Sequence, residues 1–311
     1  MSLCNRMCSS AHTYVSCLTY GGVYFFLPTF QFILNILPSS SGQYSLYTID
    51  GGVETVKTDR SLREGDFYMK DGTILPQEAF NNGTDIPDGV KKDCIGVVFW
   101  VGEKKSSDGY RYHWTYKNVD GDQLLMHKHP ECIHGLVVAL TDAVADKQPW
   151  SSTSKGLVYT WLKSYEATRQ KAEKDLMLAS NSYCGYNQSR RLQWYRDYGE
   201  QFTEAYNAIE TFAKANPTPA GCSGWYFPGD DETTVMAFGT FGNNPVGNMT
   251  TLLNTQFGKA GGSEFKTDDY YWNSTDMGAS TDTAHCIEFG NNKRETRLKT
   301  NKYYVRAVLA F

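Results

Sequence analysis

Cysteine is the residue type in this sequence with the widest chemical repertoire. Its 311 residues include eight cysteines, and from Cys17 onward neighbouring cysteines lie at least 38 positions apart. Cys4 and Cys8 are four positions apart, which is not the C-x-x-C spacing of zinc ribbons or redox pairs. The pattern predicts small buried apolar residues, or one or two disulfides if the chain is exported.

The segment HKHPECIH contains three histidines and one cysteine, namely His127, His129, His134 and Cys132. The spacing fits no established zinc pattern. His134 directly precedes the apolar run GLVVAL, so we interpret it as a cap or core-edge residue. The sequence therefore predicts no metal site here.

An acidic cluster, Asp230-Asp231-Glu232, follows Pro228-Gly229. Carboxylates favour the positive end of a helix, so this pattern is typical of a solvated turn or a helix N-terminus rather than a catalytic set. The sequence also contains no Gly-x-Ser-x-Gly elbow, phosphate-binding loop or dinucleotide fingerprint. We predict that the protein is not an enzyme and needs no cofactor.

The most distinctive block of the sequence is the polar and aromatic stretch 267–304. Asn, Asp, Ser, Thr, Tyr and His supply 21 of its 38 residues. Such side chains provide hydrogen-bond donors, acceptors and flat apolar faces, which suit sugar hydroxyls or a polar protein epitope. The alternative is an ordinary set of solvated loops and strand faces, since 14% aromatic residues are also typical of an antiparallel β protein.

Overall composition excludes several classes of protein. Hydrophobic residues make up 41% and charged residues 21% of the chain, which is typical of a globular protein. The net charge is 30 − 34 = −4, so no basic field exists to hold a nucleic acid. The best apolar stretch, 20–38, is interrupted by Pro28, Gln31 and Asn35, so it predicts no membrane span.

The elements that position these residues follow the order strands, helices, strands. Apolar runs predict strands at 66–70, 90–103 and 134–140, and helical spacing predicts helices at 157–179, 198–215 and 249–257. From residue 270 the pattern returns to short strands separated by turn residues. We therefore predict an α+β protein with mainly antiparallel strands and two or three helices.

The last block resembles a known family. YWNSTD at 271–276 is similar to the Tyr-Trp-Ser-Ser-Thr-Glu strand of a widespread bacterial surface domain, and YVRAVLAF at 304–311 is similar to its terminal strand. HGLVVAL, GVVFWVGE, FYMKDGT, WYFPG and FGKAGG match its order of elements, so the resemblance covers about 65–311. It departs from the common pattern at Asn273, usually Ser, and in the polar run 278–283.

This family is the C-type lectin-like fold, in the branch shared with formylglycine-generating enzymes. Its members include tip-adhesin-like proteins of gut Bacteroides and variable proteins of diversity-generating retroelements on bacteria and phage tails. The resemblance implies a non-enzymatic binding protein displayed on the cell surface, outside the cell or on a virion tail. It predicts a glycan or protein receptor as partner, and no nucleic acid.

By analogy with the variable proteins, buried positions hold the scaffold and exposed polar positions contact the ligand. The predicted scaffold residues are Trp272, Ile287, Phe289, Val305, Val308 and Leu309. The predicted ligand contacts are Tyr270, Tyr271, Asn273, Asp276, Thr283, His285, Asn291, Asn292, Arg294 and Thr296.

The resemblance also suggests two other kinds of site, the copper site of a formylglycine-generating oxidase and the calcium site of a lectin. A formylglycine-generating oxidase uses a cysteine pair near the C-terminus to hold copper, and here Cys286 is the sole cysteine among the last 80 residues. A lectin calcium site needs clustered carboxylates and a Glu-Pro-Asn turn, and Ser274 follows Asn273 where an Asp is expected. We therefore expect ligand binding without calcium. A structural pilus or phage-tail subunit without its own ligand is the alternative.

The domain boundary is predicted near residue 60. Residues 1–60 are interpreted as a leader, linker or attachment strand that joins the protein to a fimbria, an outer membrane or a phage tail. Residues 61–311 are predicted to form the ligand-binding domain.

Overall fold

The chain divides into two units, Met1–Ser61 and Leu62–Phe311. The structure is a computed structural model. It describes residues 37–38, 43–50, 54–80, 86, 88–102, 122–153, 156–166, 170–180, 182–239, 249–276 and 280–311. The three cysteines nearest the N-terminus and the apolar stretch before residue 37 lie outside these residues. No helix within them is long and apolar enough to cross a membrane.

The described part of the first unit is one antiparallel sheet. Its strands are β1 (Leu37–Pro38), β2 (Gln43–Asp50) and β3 (Glu54–Ser61), in the order β1-β2-β3. The residues QYSLYTID form β2 and the residues ETVKTDRS form β3.

The core of the second unit is a five-stranded antiparallel sheet in the order β13-β7-β6-β4-β5. Its central strands β6 and β7 are continuous runs of apolar residues because both of their faces are covered. Its edge strand β13 pairs with β7, although the two strands are far apart in the sequence. The strands are β4 (Phe67–Met69), β5 (Ile74–Leu75), β6 (Cys94–Val101), β7 (Gly135–Ala139) and β13 (Val308–Ala310).

Eight α-helices and one short 3₁₀ helix, Gln77–Phe80, occur among the described residues, so the prediction of two or three helices was wrong. The α-helices are α1 (Asp88–Lys91), α2 (Gln123–Lys128), α3 (Val158–Ser164), α4 (Lys171–Ala179), α5 (Gly185–Asp197), α6 (Glu204–Ala215), α7 (Asp230–Phe238) and α8 (Met249–Ala260).

Two helix boundaries differ from the predictions for physical reasons. The predicted helix 157–179 is divided into α3 and α4, because the chain turns extended at Tyr165. The predicted helix 198–215 begins only at Glu204, so Phe202 lies outside it and is 51% exposed. The α+β class with antiparallel strands is confirmed, since every pair of named strands is antiparallel.

A second sheet carries most of the predicted ligand contacts. It has the order β11-β10-β9, and a two-stranded pair, β12-β8, accompanies it. Tyr271 of β9 also forms an isolated bridge with Tyr304, next to β12. These strands are β8 (Gln148–Pro149), β9 (Tyr270–Trp272), β10 (Thr283–Glu288), β11 (Lys293–Leu298) and β12 (Lys302–Tyr303).

Arg191 of α5 connects the helices through their backbone. The side chain is fully buried. Its guanidinium donates to the carbonyl oxygens of Met177 and Ser180 at the end of α4, to Gln188 Oε1 at 2.7 Å and to Ser182 Oγ at 2.6 Å. Burial lowers the pKa of Arg191 to about 10, although Asp122 opposes this shift. Arg191 therefore satisfies the orphan carbonyls that a helix C-terminus leaves without partners.

We expect Arg191→Met to lower the free energy of unfolding by about 3–5 kcal/mol, because buried carbonyl oxygens then lose their donors. Chemical denaturation measures this change. Arg63→Met is the matched control: Arg63 forms an exposed ion pair with Glu78 at 3.5 Å, so its loss is expected to cost at most about 0.5 kcal/mol. Equal effects of the two substitutions would contradict the role of Arg191.

Candidate functional site

One face of the second sheet gathers four of the predicted ligand contacts. Thr283 and His285 on β10 pair with Leu298 and Thr296 on β11, and Ile287 pairs with Arg294. Because side chains alternate along a strand and paired residues share a face, these six side chains lie on the same side of the sheet. We call this side the recognition face.

The recognition face is covered at one end and open at the other. At the covered end Ile287 is fully buried, and the side chains of His285 and Arg294 retain 16% and 25% exposure. At the open end Thr283 is half-buried, Thr296 is exposed and Leu298 is 54% exposed. The open end therefore offers hydroxyl groups beside an apolar side chain.

Asp230, the first residue of α7, holds the covered end. Its carboxylate is fully buried, accepts from Arg294 Nη2 and lies 3.3 Å from His285 Nδ1. Asn273 Nδ2 also donates to it at 3.2 Å. Burial alone would raise the pKa of Asp230, but His285 and Arg294 lower it below its usual value. Asp230 is thus an ionised anchor that joins helix α7 to strands β10 and β11.

The acidic cluster is a helix N-terminus, as predicted, but it is not solvated. All three of its side chains are buried. The Glu232 carboxylate accepts from the backbone N–H groups of Gly185, at 2.9 and 3.1 Å, and of Gly229 at 2.9 Å. Burial raises the pKa of Glu232 to about 8. Burial, together with the charges of Glu232 and Asp230, also raises the pKa of Asp231, whose Oδ2 has no hydrogen-bond partner within the described part of the chain.

Three of the predicted ligand contacts are wrong because the structure buries them. Tyr271 is 2% exposed and donates to Asp142 Oδ2 at 3.3 Å. Asn273 is fully buried and donates to Asp230 and to Thr233 Oγ1. These side chains support the frame and present no surface to a ligand.

Asp276, the third of these residues, is also fully buried. Its Oδ2 accepts from the backbone N–H of Val158 at 2.8 Å and lies 3.3 Å from Lys299 Nζ. Burial raises the pKa of Asp276, and Lys299 opposes the shift. The residue therefore ties the end of this segment to the start of α3.

The remaining predicted contacts lie at or near the surface but not all on the recognition face. Tyr270 points to the opposite face, where its hydroxyl donates to Glu295 Oε2 at 3.2 Å. Asn291 is exposed and Asn292 half-buried in the turn between β10 and β11. Asn292 has a positive φ of 50°, a conformation that Asn tolerates better than most residues. The structure therefore brings together Thr283, His285, Arg294 and Thr296, and separates Tyr270 from them.

Burial of the predicted scaffold residues is confirmed, since Trp272, Ile287, Phe289, Val305, Val308 and Leu309 are at most 2% exposed. Sequence reasoning missed Leu298, whose exposure follows from the alternation of β11. It also missed Tyr183, whose ring meets that of His285 edge-on at 5.9 Å. The acidic cluster was recognised, but its burial and its contact with His285 and Arg294 were not.

The described cysteines and the histidines near them are poorly suited to metal binding or redox chemistry. The five described cysteines are buried free thiols, as predicted for small apolar residues. His129, Glu131 and Cys132 place one potential ligand atom each within 4.8 Å of one another. However, burial raises the pKa of the Cys132 thiol to about 12, and His129 Nε2 lies 2.9 Å from the Tyr186 hydroxyl. A metal ion bound here would have to displace the proton of the Cys132 thiol. The contact between Tyr186 and His129 Nε2 would then orient the His129 imidazole.

The Cys286 thiol is buried and lies 3.7 Å from the Glu295 carbonyl oxygen, and burial raises its pKa well above the usual value. A buried thiol with a raised pKa is protonated near neutral pH and is a poor nucleophile or copper ligand.

Comparison with known proteins relates the chain to fimbriae. No protein-family model matches it. It is 25% identical over 292 residues to a curated Bacteroides ovatus protein described as "Putative fimbrium tip subunit Fim1C", a match that covers 87% of this chain and 49% of that protein. The chain thus spans about half the length of this relative. The match establishes homology to a Bacteroides fimbrial protein, so the predicted resemblance to Bacteroides surface proteins is confirmed in this broad form.

A solved structure has a fold similar to that of this chain. The crystal structure of a fimbrial protein from Bacteroides ovatus superimposes with a TM-score of 0.57 and 20% sequence identity, covering 87% of this chain and 57% of that one. At this identity the likeness concerns the fold alone.

The buried acidic residues predict a pH-dependent stability. A raised folded-state pKa means that Glu232 is protonated in the folded chain at pH values where it is ionised in the unfolded chain. The free energy of unfolding should therefore fall as the pH rises from about 4.5 to about 8, by roughly 2–4 kcal/mol for this residue. In Glu232→Gln the fall should be smaller by that amount, as measured by urea denaturation across this pH range. An unchanged pH dependence would show that Glu232 does not titrate in this window.

Proposed function

We propose that this chain is a non-enzymatic component of a surface fimbria whose recognition face binds a glycan or protein receptor. The observation that supports this proposal is that the recognition face has one open, polar end and one end that is held in place by a buried carboxylate. Thr283, Thr296 and Leu298 are accessible, while Asp230 fixes His285 and Arg294 beneath them. A surface that is rigid before binding loses less conformational entropy when the ligand arrives.

Recognition on this face would rest on short-range contacts. The threonine hydroxyls donate and accept hydrogen bonds, the His285 ring adds a donor or acceptor, and Leu298 supplies apolar area. This composition suits the mixed polar and apolar surface of a sugar or of a protein epitope. The mechanism is binding alone, with no covalent step.

The display of the protein outside the cell is part of the same proposal. The homologue is named as a fimbrium tip subunit, and a tip position would expose the recognition face to a receptor. We assign residues 1–60 the role of attachment to the fimbria, and residues 61–311 that of binding. The alternative is that residues 1–60 attach the protein to an outer membrane or to a phage tail.

The C-type lectin-like identity and diversification by a retroelement rest on the sequence resemblance. Diversification is tested by the neighbouring DNA. A reverse transcriptase gene beside a near-copy of the 3′ end of this gene, differing at adenines, would support it. Absence of both from the complete genomic neighbourhood would contradict diversification.

A structural fimbrial subunit without its own receptor is the second candidate. It is favoured by the homologue's description, which names a place in a fimbria and no ligand. A screen of the full chain on glycan and cell-surface protein arrays separates the two. Saturable binding supports recognition, and assembly without any binding supports the structural role.

Substitution at the open end tests where such a receptor binds. We expect Thr296→Arg to weaken binding to the receptor found in that screen by about tenfold or more, because a long charged side chain would cover the open end. Thr255→Arg on α8 is the matched control, since Thr255 is also exposed but lies outside the sheet. Both variants should keep the melting temperature of the parent. Equal binding by all three proteins would place the receptor site elsewhere.

A further inference from the structure

A groove between the helices lies apart from the recognition face. It has a volume of about 480 Å³ and is lined by α2, α4, α5, α6 and the pair Trp225-Tyr226. This volume is within the range typical of small-molecule sites. Charged, amide and aromatic side chains all contribute to its lining.

The two carboxylates of the groove are already neutralised. Glu173 forms ion pairs with Arg190 Nε at 2.6 Å and with Lys128 Nζ at 3.9 Å. Glu210 accepts from the Tyr206 hydroxyl at 2.8 Å and forms an ion pair with Arg196, which is not part of the lining. Neither acid is therefore available to neutralise a further cation.

Two lysine side chains of the groove remain accessible to a negatively charged ligand. Lys214 lines the groove, is exposed, and has no carboxylate partner among the residues that the structure describes. Lys128 is 43% exposed, and its contact with Glu173 is long for an ion pair. Three basic and two acidic side chains line the groove, so its charge is 3 − 2 = +1. A negatively charged ligand is therefore favoured over a neutral or cationic one.

The aromatic residues of the groove are held in fixed orientations. The ring of Tyr186 is half-buried, meets Tyr226 edge-on at 5.6 Å, and has its hydroxyl 2.9 Å from His129 Nε2. Trp225 packs edge-on against Phe212 at 5.7 Å. Trp225 and Tyr226 are themselves buried, so Tyr186 is the ring that can offer an apolar face to the C–H groups of a ligand at little entropic cost.

The architecture of the groove argues against an extended peptide as its ligand. Apart from Trp225 and Tyr226, every lining residue belongs to a helix, and the Tyr226 backbone is already paired with Val308. Recognition of an extended peptide by strand addition needs an open strand edge, which this lining lacks. A compact ring that carries hydroxyls and one anionic group fits the available side chains better.

We propose that this groove binds an acidic monosaccharide unit, a pyranose bearing a carboxylate. Lys214 and Lys128 hold the carboxylate, and Tyr186 contacts the face of the ring. Arg190 already donates to Glu173 through Nε and to Gln193 Oε1 through Nη1, so Arg190 Nη2 and the Gln193 amide nitrogen hydrogen-bond the hydroxyls. This site is independent of the recognition face and does not rest on the proposed fimbrial role.

Calorimetric titration of the full chain with digalacturonic acid and with N-acetylneuraminic acid tests the proposal, and it distinguishes uronic from sialic acids. The methyl ester of digalacturonic acid is the matched neutral ligand. We expect the free acid of at least one of the two sugars to bind saturably, and the ester of digalacturonic acid to bind about tenfold more weakly than its acid if that sugar is the ligand. Added salt should weaken binding of the acid.

Substitutions then locate the site. We expect Lys214→Gln to weaken binding of the acid by about tenfold and Lys214→Arg to retain it, because only the charge is required. Lys302→Gln is the control, since Lys302 is an exposed lysine outside the groove, and Thr296→Arg should leave this binding unchanged. The proposal is overturned if neither acid binds, if the ester binds as tightly as the acid, if Lys214→Gln has no effect, or if tetraglutamate binds as tightly as the sugar.

Discussion

The contact of Asp230 with strands β10 and β11 is the constraint on which the rest of the site depends. A fully buried carboxylate is costly unless charged or hydrogen-bonding groups surround it, and here Arg294, His285 and Asn273 do so. Arg294 lies on β11 and His285 on β10, and Asn273 directly follows β9. Their positions relative to α7 are therefore fixed together, because moving any one of these segments would remove one of the partners of the buried carboxylate.

This constraint divides the second sheet into a frame and a surface. His285 and Arg294 are occupied by their contacts with Asp230 of α7, whereas Thr296 and Leu298 on the same face are exposed. Thr296 lies beside His285 across the strand pair, whereas Leu298 pairs with Thr283, which is not a partner of Asp230. A surface that can vary without loss of the frame is useful to a protein that recognises a receptor, and the same arrangement would equally stabilise a subunit interface.

Local sequence patterns made part of this architecture predictable. The apolar runs of β6 and β7 and the antiparallel class follow from such patterns, whereas the buried scaffold residues were predicted by analogy with the variable proteins. The same patterns could not tell Tyr270 from Tyr271, since both faces of β9 begin with tyrosine and burial of the second depends on distant partners such as Asp142 and Tyr304. Asn273 resembles a solvated polar residue until Asp230, 43 positions away, is placed beside it. Helix α5 was missed for a related reason, because it buries Asn187, Gln188 and Arg191 and so lacks a clear apolar stripe.

Hydrogen–deuterium exchange of Asp230→Asn against the parent chain tests this account most directly. Loss of the carboxylate charge should release Arg294 and His285, so the amides of β10 and β11 should exchange about tenfold faster or more. The amides of β6 and β7 in the five-stranded sheet should keep their protection, and Asp197→Asn, at an exposed ion pair with Arg196, should change neither sheet. Unchanged protection of β10 and β11 in Asp230→Asn would contradict the claim that this buried carboxylate holds the recognition face.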